Sequence, residues 1–347
     1  MGELRADRWL HLIGTPAFLR PIGPGDHAWW RPGAALGLML PIGVGLGLIG
    51  YLVGGLINSW LIQALVLGET PRWPAHLIAA ARSSLVTCDS CLLGGVTLTV
   101  LVGVIYLACL IALLTSLVIV YRRPARTWVT SAPRFRWRLF WIGLVLFSVI
   151  LAAIASIPEA LHGWPDRPVF LKADEAVRMR IAYVAVTLIA LPIAAAFEEI
   201  LCRGWLLQVT AAFTRSLPAI LLFNSLFFSL LHVDPDPGRN LSRAVLGIAL
   251  SWGVLRTGGL EIGIGIHTAN NLVILMLAQT LQHSETLTAS TPLSVVINLS
   301  VCLAAVAVIE VIMRWRPLRR WTGLEASDGP PQPPDIPHRA NSTLAAP

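Results

Sequence analysis

No Asp, Glu, Lys or Arg occurs between Ala34 and Ile57 or between Leu92 and Val120. Runs of this kind restrict the fold more than any other feature of the chain. About 20 apolar residues in a helix cross the hydrocarbon of a bilayer, and inside it each backbone N–H and C=O must be bonded within the segment. The chain has 347 residues, 55% of them hydrophobic and 13% charged, where a soluble domain carries about a quarter charged residues. Lipid is the solvent such a sequence requires. The predicted fold class is all-α: a polytopic membrane protein with about eight transmembrane or partly spanning helices. The predicted segments are Ala34–Ile57, Leu92–Tyr121, Trp137–Ile157 and Ile181–Phe213. Shorter runs follow at Leu217–His232, Ala244–Leu255 and Ile262–Leu281, and Leu293–Met313 closes the set.

Charge supplies the organisation. The net charge is +7, and the arginines gather just outside the apolar runs. Arg122, Arg123, Arg126, Arg134, Arg136 and Arg138 fill one connection, and Arg314, Arg316, Arg319 and Arg320 follow the last run, whereas Gln282–Pro292 has no Lys or Arg. Membrane topology and anionic lipid explain this pattern, so no nucleic acid partner is expected. Both termini are expected to be cytoplasmic, in a prokaryotic plasma membrane. The expected division is a basic cytoplasmic segment (1–33), N-terminal transmembrane helices and loops (34–180), catalytic helices (181–313), and a basic flank with a disordered Pro-rich tail (314–347). No removable signal peptide is expected. Cys88 and Cys91 form a lone CxxC without a second pair, which makes no redox or metal framework.

Charges reappear where they are most costly. An ionised side chain at the middle of a span costs at least about 2.5–3.5 kcal/mol on insertion scales, yet Glu198, Glu199 and Arg203 fall within six residues of an apolar helix. Glu199 and Arg203 are four apart and share a face, with the glutamate first, which is the favourable order. Glu198 lies about 100° around the helix and has no basic residue at i+3 or i+4. Its carboxylate is thus left to take a proton, as a general base must. Asn224, Phe228 and His232 form one stripe at helical spacing. His267 and Asn271 form another, one turn after Gly263 and Gly265, which let a neighbouring helix approach. An imidazole N–H and an amide NH₂ converging on one point can hold an oxyanion. The bland readings are an interfacial glutamate pair, an interfacial histidine and interhelical polar glue, the last a role better suited to Asn270.

The ordered set Glu198-Glu199-x-x-x-Arg203, Phe228-x-x-x-His232 and His267-x-x-x-Asn271 resembles the three motifs of the CPBP family. These are intramembrane proteases that include type II CAAX prenyl endopeptidases and bacteriocin-processing, Abi-like membrane proteins. The resemblance covers roughly Ile181–Leu281. It implies that Glu198 is the catalytic glutamate, that His232 helps it activate water, and that His267 and Asn271 stabilise the oxyanion. Glu199 and Arg203 would support the site. The family is commonly called metallo-, but no HExxH is present. Glu198, His232 and His267 could form a His₂Glu zinc site, or run a metal-free, glutamate-activated water. The implied partners are membrane lipid and a peptide or protein substrate, prenylated or bacteriocin-like.

Depth poses a difficulty. Counted from Ile181, Glu198 lies about 26 Å along its helix, whereas His232 ends the next helix. A long or tilted fourth helix, a partly spanning Leu217–His232 segment and a shared water-filled cavity would reconcile them. Two other functions compete with an endopeptidase: a non-catalytic immunity or scaffold protein, and a proton-coupled transporter. A transporter usually brings inverted repeats, and no repeat is evident. The topology predicts that a reporter fused after His283 reads as non-cytoplasmic; a cytoplasmic readout would contradict it.

Overall fold

A computed structural model describes residues 16–64, 92–162, 177–278 and 290–324. Cys88, Cys91, Arg5, Arg8 and the tail beyond residue 324 lie outside the described residues, as does most of the connection Gln282–Pro292. The described part is helical, with no β-strand among the described residues. The helices are α1 (Trp30–Ile62), α2 (Leu92–Tyr121), α3 (Trp137–His162), α4 (Val177–Phe213), α5 (Leu217–Leu230), α6 (Pro237–Thr257), α7 (Glu261–Val273), α8 (Pro292–Arg314) and the short α9 (Arg316–Thr322). Five of them, α1, α2, α3, α4 and α8, are long and apolar enough to cross a membrane. With α5, α6 and α7 they correspond to the eight expected segments, although α6 starts seven residues before its predicted Ala244 and α7 ends at Val273, eight before the predicted Leu281.

Packing follows the distribution of small and apolar side chains. In its most hydrophobic stretch, α1 is almost wholly uncovered by protein, with Leu40, Val44, Leu48 and Leu52 exposed. A helix that is apolar all round and uncovered suits contact with lipid. It packs against α2, which packs against α4. α7 lies at the centre, against α3, α4 and α6, and every residue from Glu261 to Ala269 is buried.

Close approach of α7 to α3 rests on glycine. A Cβ on Gly143 of α3 would stand 2.6 Å from the Ile262 carbonyl oxygen, and one on Gly265 of α7 would collide with the Phe140 carbonyl. The backbones are therefore in direct contact, as the sequence reading of Gly265 anticipated. Here α3 widens into a π turn over Ile142–Leu146, and α4 has a second over Ile200–Leu206. Such single-turn bulges interrupt the regular ladder and often accompany functional sites.

A second staple fixes α7 from its N-terminal end. Arg136 was read from the sequence as a topological surface charge, but it is buried. Its Nε and Nη2 donate to the two oxygens of Glu261 at 2.9 and 2.8 Å. Nη1 donates to the Thr257 carbonyl at 2.7 Å, and the Thr130 hydroxyl donates to Glu261 Oε1, also at 2.7 Å. The fork geometry of guanidinium on carboxylate explains why this arginine is drawn inward. Around it the loop between α2 and α3 zips onto the α6–α7 turn: Leu260 N–H donates to the Val129 carbonyl and Ser131 N–H to that of Gly258. Gly258 occupies the left-handed region, at φ 74°, where a side chain is disfavoured.

Removing one member of such a pair strands a buried charge, at about 3–5 kcal/mol. Glu261→Gln is thus expected to lower the unfolding temperature in detergent clearly, and Arg136→Met together with Glu261→Gln to lower it less. A single variant that unfolds like the wild type would contradict the staple.

Candidate active site

The site is assembled by a helical hairpin. α4 does not stop at Glu198 but runs on to Phe213, and α5 turns back from Leu217. Glu198 is fifteen residues before Phe213, and His232 fifteen residues after Leu217. At 1.5 Å per residue both lie about 22 Å from the turn. The long fourth helix and part-length fifth segment expected from the sequence are both present. They bring the glutamate and histidine to one level.

At that level α4 presents two carboxylates to different neighbours. Glu199 and Arg203 are both completely buried, and Arg203 Nη1 donates to Glu199 Oε1 at 2.9 Å. The same oxygen lies 2.9 Å from Nδ1 of His267 on α7. His267 therefore sits between two glutamates, with its Nε2 facing Glu198 Oε2 at 3.6 Å. The remaining Arg203 nitrogens, Nε and Nη2, make no hydrogen bond to protein. Its guanidinium instead lies over the Phe228 ring at 4.0 Å, where the ring's electron-rich face attracts a cation.

Phe228 thus has a place in the site that its stripe position only hinted at. Its ring meets His232 edge to face at 5.0 Å and His267 at 5.8 Å. His232 Nδ1 lies 2.9 Å from the Phe228 carbonyl oxygen, so with that nitrogen protonated Nε2 is the free end of the ring. The stripe's third member, Asn224, is fully buried and donates to the Ile220 carbonyl and the Thr210 hydroxyl. It joins α5 to α4 rather than entering the site.

Asn271, one turn beyond His267, accepts a hydrogen bond from the Asn270 amide at 3.2 Å. Its oxygen is thereby occupied and its NH₂ is left to donate. Asn270, read from the sequence as the better candidate for interhelical glue, makes this local bond.

The zinc alternative does not fit the arrangement. Glu198, His232 and His267 do not converge as ligands, and no group of three His, Cys, Asp or Glu among the described residues could hold a metal ion. His267 and His232 are each anchored through Nδ1, to Glu199 and to the Phe228 carbonyl.

Three features escaped the sequence reading. The Tyr106 hydroxyl of α2 donates to Glu198 Oε1 at 3.2 Å, so Glu198 has a partner that its own helix does not supply. A mid-span tyrosine was the available signal, since tyrosines in membrane proteins concentrate at the interfaces. The Arg136–Glu261 pair was hidden because its members are 125 residues apart. The turn after His232 is latched by Asp234, which takes Arg239 and Arg243 at 2.7 and 2.8 Å, and by Asp236, which accepts from Ser290. The hydrogen bond from Arg239 holds Asp234 well below the usual carboxylate range, and Ser290 brings Asp236 down to about 2. Because both are depressed, the latch is intact at neutral pH and weakens only as strong acid protonates them.

This geometry coincides with a family match. Residues 180–273 match the model of the Rce1-like family, type II CAAX prenyl endopeptidases. The matched stretch runs from early α4 to the end of α7 and contains all three motifs. The uncharacterized protein YyaK of Bacillus subtilis (strain 168) is 27% identical over 179 residues, which is 50% of this chain. The chain spans 58% of the length of that relative. No solved structure matches.

Proposed function

We propose that this multi-pass membrane protein is an intramembrane endopeptidase that hydrolyses a peptide bond in a membrane-associated substrate. The observation that carries the reading is His267, set between Glu199 and Glu198, where α7 meets α4. One imidazole there links a fully buried, charge-compensated carboxylate to a partly accessible one. The Rce1-like match supports the same class of reaction.

In this reading a water is held between Glu198 and the free nitrogen of His232. Glu198 takes its proton as the oxygen attacks the scissile carbonyl carbon. The carbonyl oxygen gains the charge, and donors from His267 and the Asn271 NH₂ stabilise it. The proton then passes to the departing amine as the C–N bond breaks. Glu199 and Arg203 orient His267 from behind, and no step requires a metal. Substrates with a lipid-modified or otherwise membrane-held segment suit a site reached from within the bilayer; prenylated and bacteriocin-like peptides are the first to try.

General acid–base groups contribute about 10²–10⁴-fold. Wild-type protein in liposomes is expected to cleave such membrane-held peptides, with Glu198→Ala slower by that order while still inserting and unfolding like the wild type. Equal cleavage by both, read by mass spectrometry of the products, would refute the assignment. A Glu198→Ala protein that retains its full biological effect would favour the non-catalytic scaffold.

A further inference from the structure

We propose that Tyr106, on α2 and outside the family-matched residues 180–273, is a positioning residue of this site, holding Glu198 in the orientation from which it acts as base. The proposal rests on the endopeptidase reading. It begins with a misplaced side chain. Tyr106 is the fifteenth of the thirty residues of α2, in a span free of Asp, Glu, Lys and Arg. Away from the interface its hydroxyl needs an internal acceptor, because a phenol left unpaired in an apolar setting is costly. The acceptor is Glu198 Oε1 at 3.2 Å. The Tyr106 ring is held in turn by Phe197, edge to face at 5.6 Å.

The consequence is that Glu198 takes its hydrogen bond from another helix, with His267 of α7 standing beyond hydrogen-bond distance of its second oxygen. Tyr106 takes Oε1 from α2, and His267 Nε2 faces Oε2 from α7. Its own helix offers nothing equivalent, since Arg203 Nη1 is taken by Glu199. A glutamate has three rotatable bonds, and a carboxylate free to turn presents its lone pairs to a bound water only part of the time. Fixing it in advance removes that loss from the reaction barrier. Phe197, next to Glu198 in sequence, makes the grip a property of α2–α4 packing. A hydroxyl on a helix remote from the three motifs therefore controls the orientation of the group that performs the chemistry.

The test is Tyr106→Phe, which keeps the ring on Phe197 and removes only the oxygen. With the peptide that wild type cleaves, kcat is expected to fall about tenfold while KM stays within about twofold, as one hydrogen bond to an ionised group warrants. The unfolding temperature should stay near that of the wild type. In a Glu198→Gln background the same change should have no further effect, because the two act as a unit. A second readout needs no activity: the infrared carboxylate band assigned by its loss in Glu198→Gln should shift in Tyr106→Phe. An unshifted band, or a loss of kcat that only parallels a loss of stability, would overturn the positioning role. If Glu198→Ala is inert while Tyr106→Phe is fully active, this inference fails and the endopeptidase reading stands. If Glu198→Ala is fully active, that reading fails, and the band alone decides whether Tyr106 holds Glu198.

Discussion

Glu199 has no exposed surface, yet its Oε1 meets both a guanidinium from its own helix and an imidazole from another. A carboxylate cannot be stripped of water without compensation, and a buried pair repays that cost only when its geometry is good. Arg203 provides the charge, Phe228 covers the guanidinium, and His267 provides the link to α7. The three motif-bearing helices α4, α5 and α7 are thereby committed to one arrangement, and Glu198 is left as the carboxylate without an arginine. The asymmetry between two adjacent glutamates follows from helix geometry: a 100° step turns one toward Arg203 and the other toward α2 and the His267 edge.

The surrounding fold serves to place α7. Glycine contact with α3 sets how near it lies, and the Arg136–Glu261 staple ties its N-terminal end to the loop between α2 and α3. The hairpin of α4 and α5 sets the depth of His232 opposite it. These constraints come from different parts of the chain, and each acts on a helix that carries a motif. The latch at Asp234 and Asp236 holds the turn that follows His232 against the start of α6 and residue Ser290. It secures that end of the hairpin by charge and hydrogen bonding in a region where apolar packing is thin.

Much of this was legible in the sequence because lipid imposes a harsh grammar. Long uncharged runs mark helices, and three ionisable groups inside one must be explained. The i,i+4 spacing of Glu199 and Arg203, and the stripe Phe228–His232, translated directly into contacts. Long-range partners were not legible. Tyr106 and Glu198 are 92 residues apart, and Arg136 looked like every other arginine in a basic connection. The depth problem arose because Glu198 lies about 26 Å along the predicted Ile181–Phe213 helix, whereas His232 ends the next; α4 does run on to Phe213, through a π turn. The zinc set was legible only as residue types: no three His, Cys, Asp or Glu among the described residues are grouped to hold a metal ion.

The claim at the centre is that Glu199, by joining Arg203 and His267, builds the site without taking part in proton transfer. Glu199→Gln measures it most directly, with cleavage and unfolding followed on the same reconstituted protein. The account predicts that stability falls by about 3–5 kcal/mol as Arg203 loses its counter-charge, and that cleavage drops by at least about tenfold, since a misplaced His267 weakens oxyanion stabilisation. A Glu199→Gln protein that unfolds and cleaves like the wild type would contradict it.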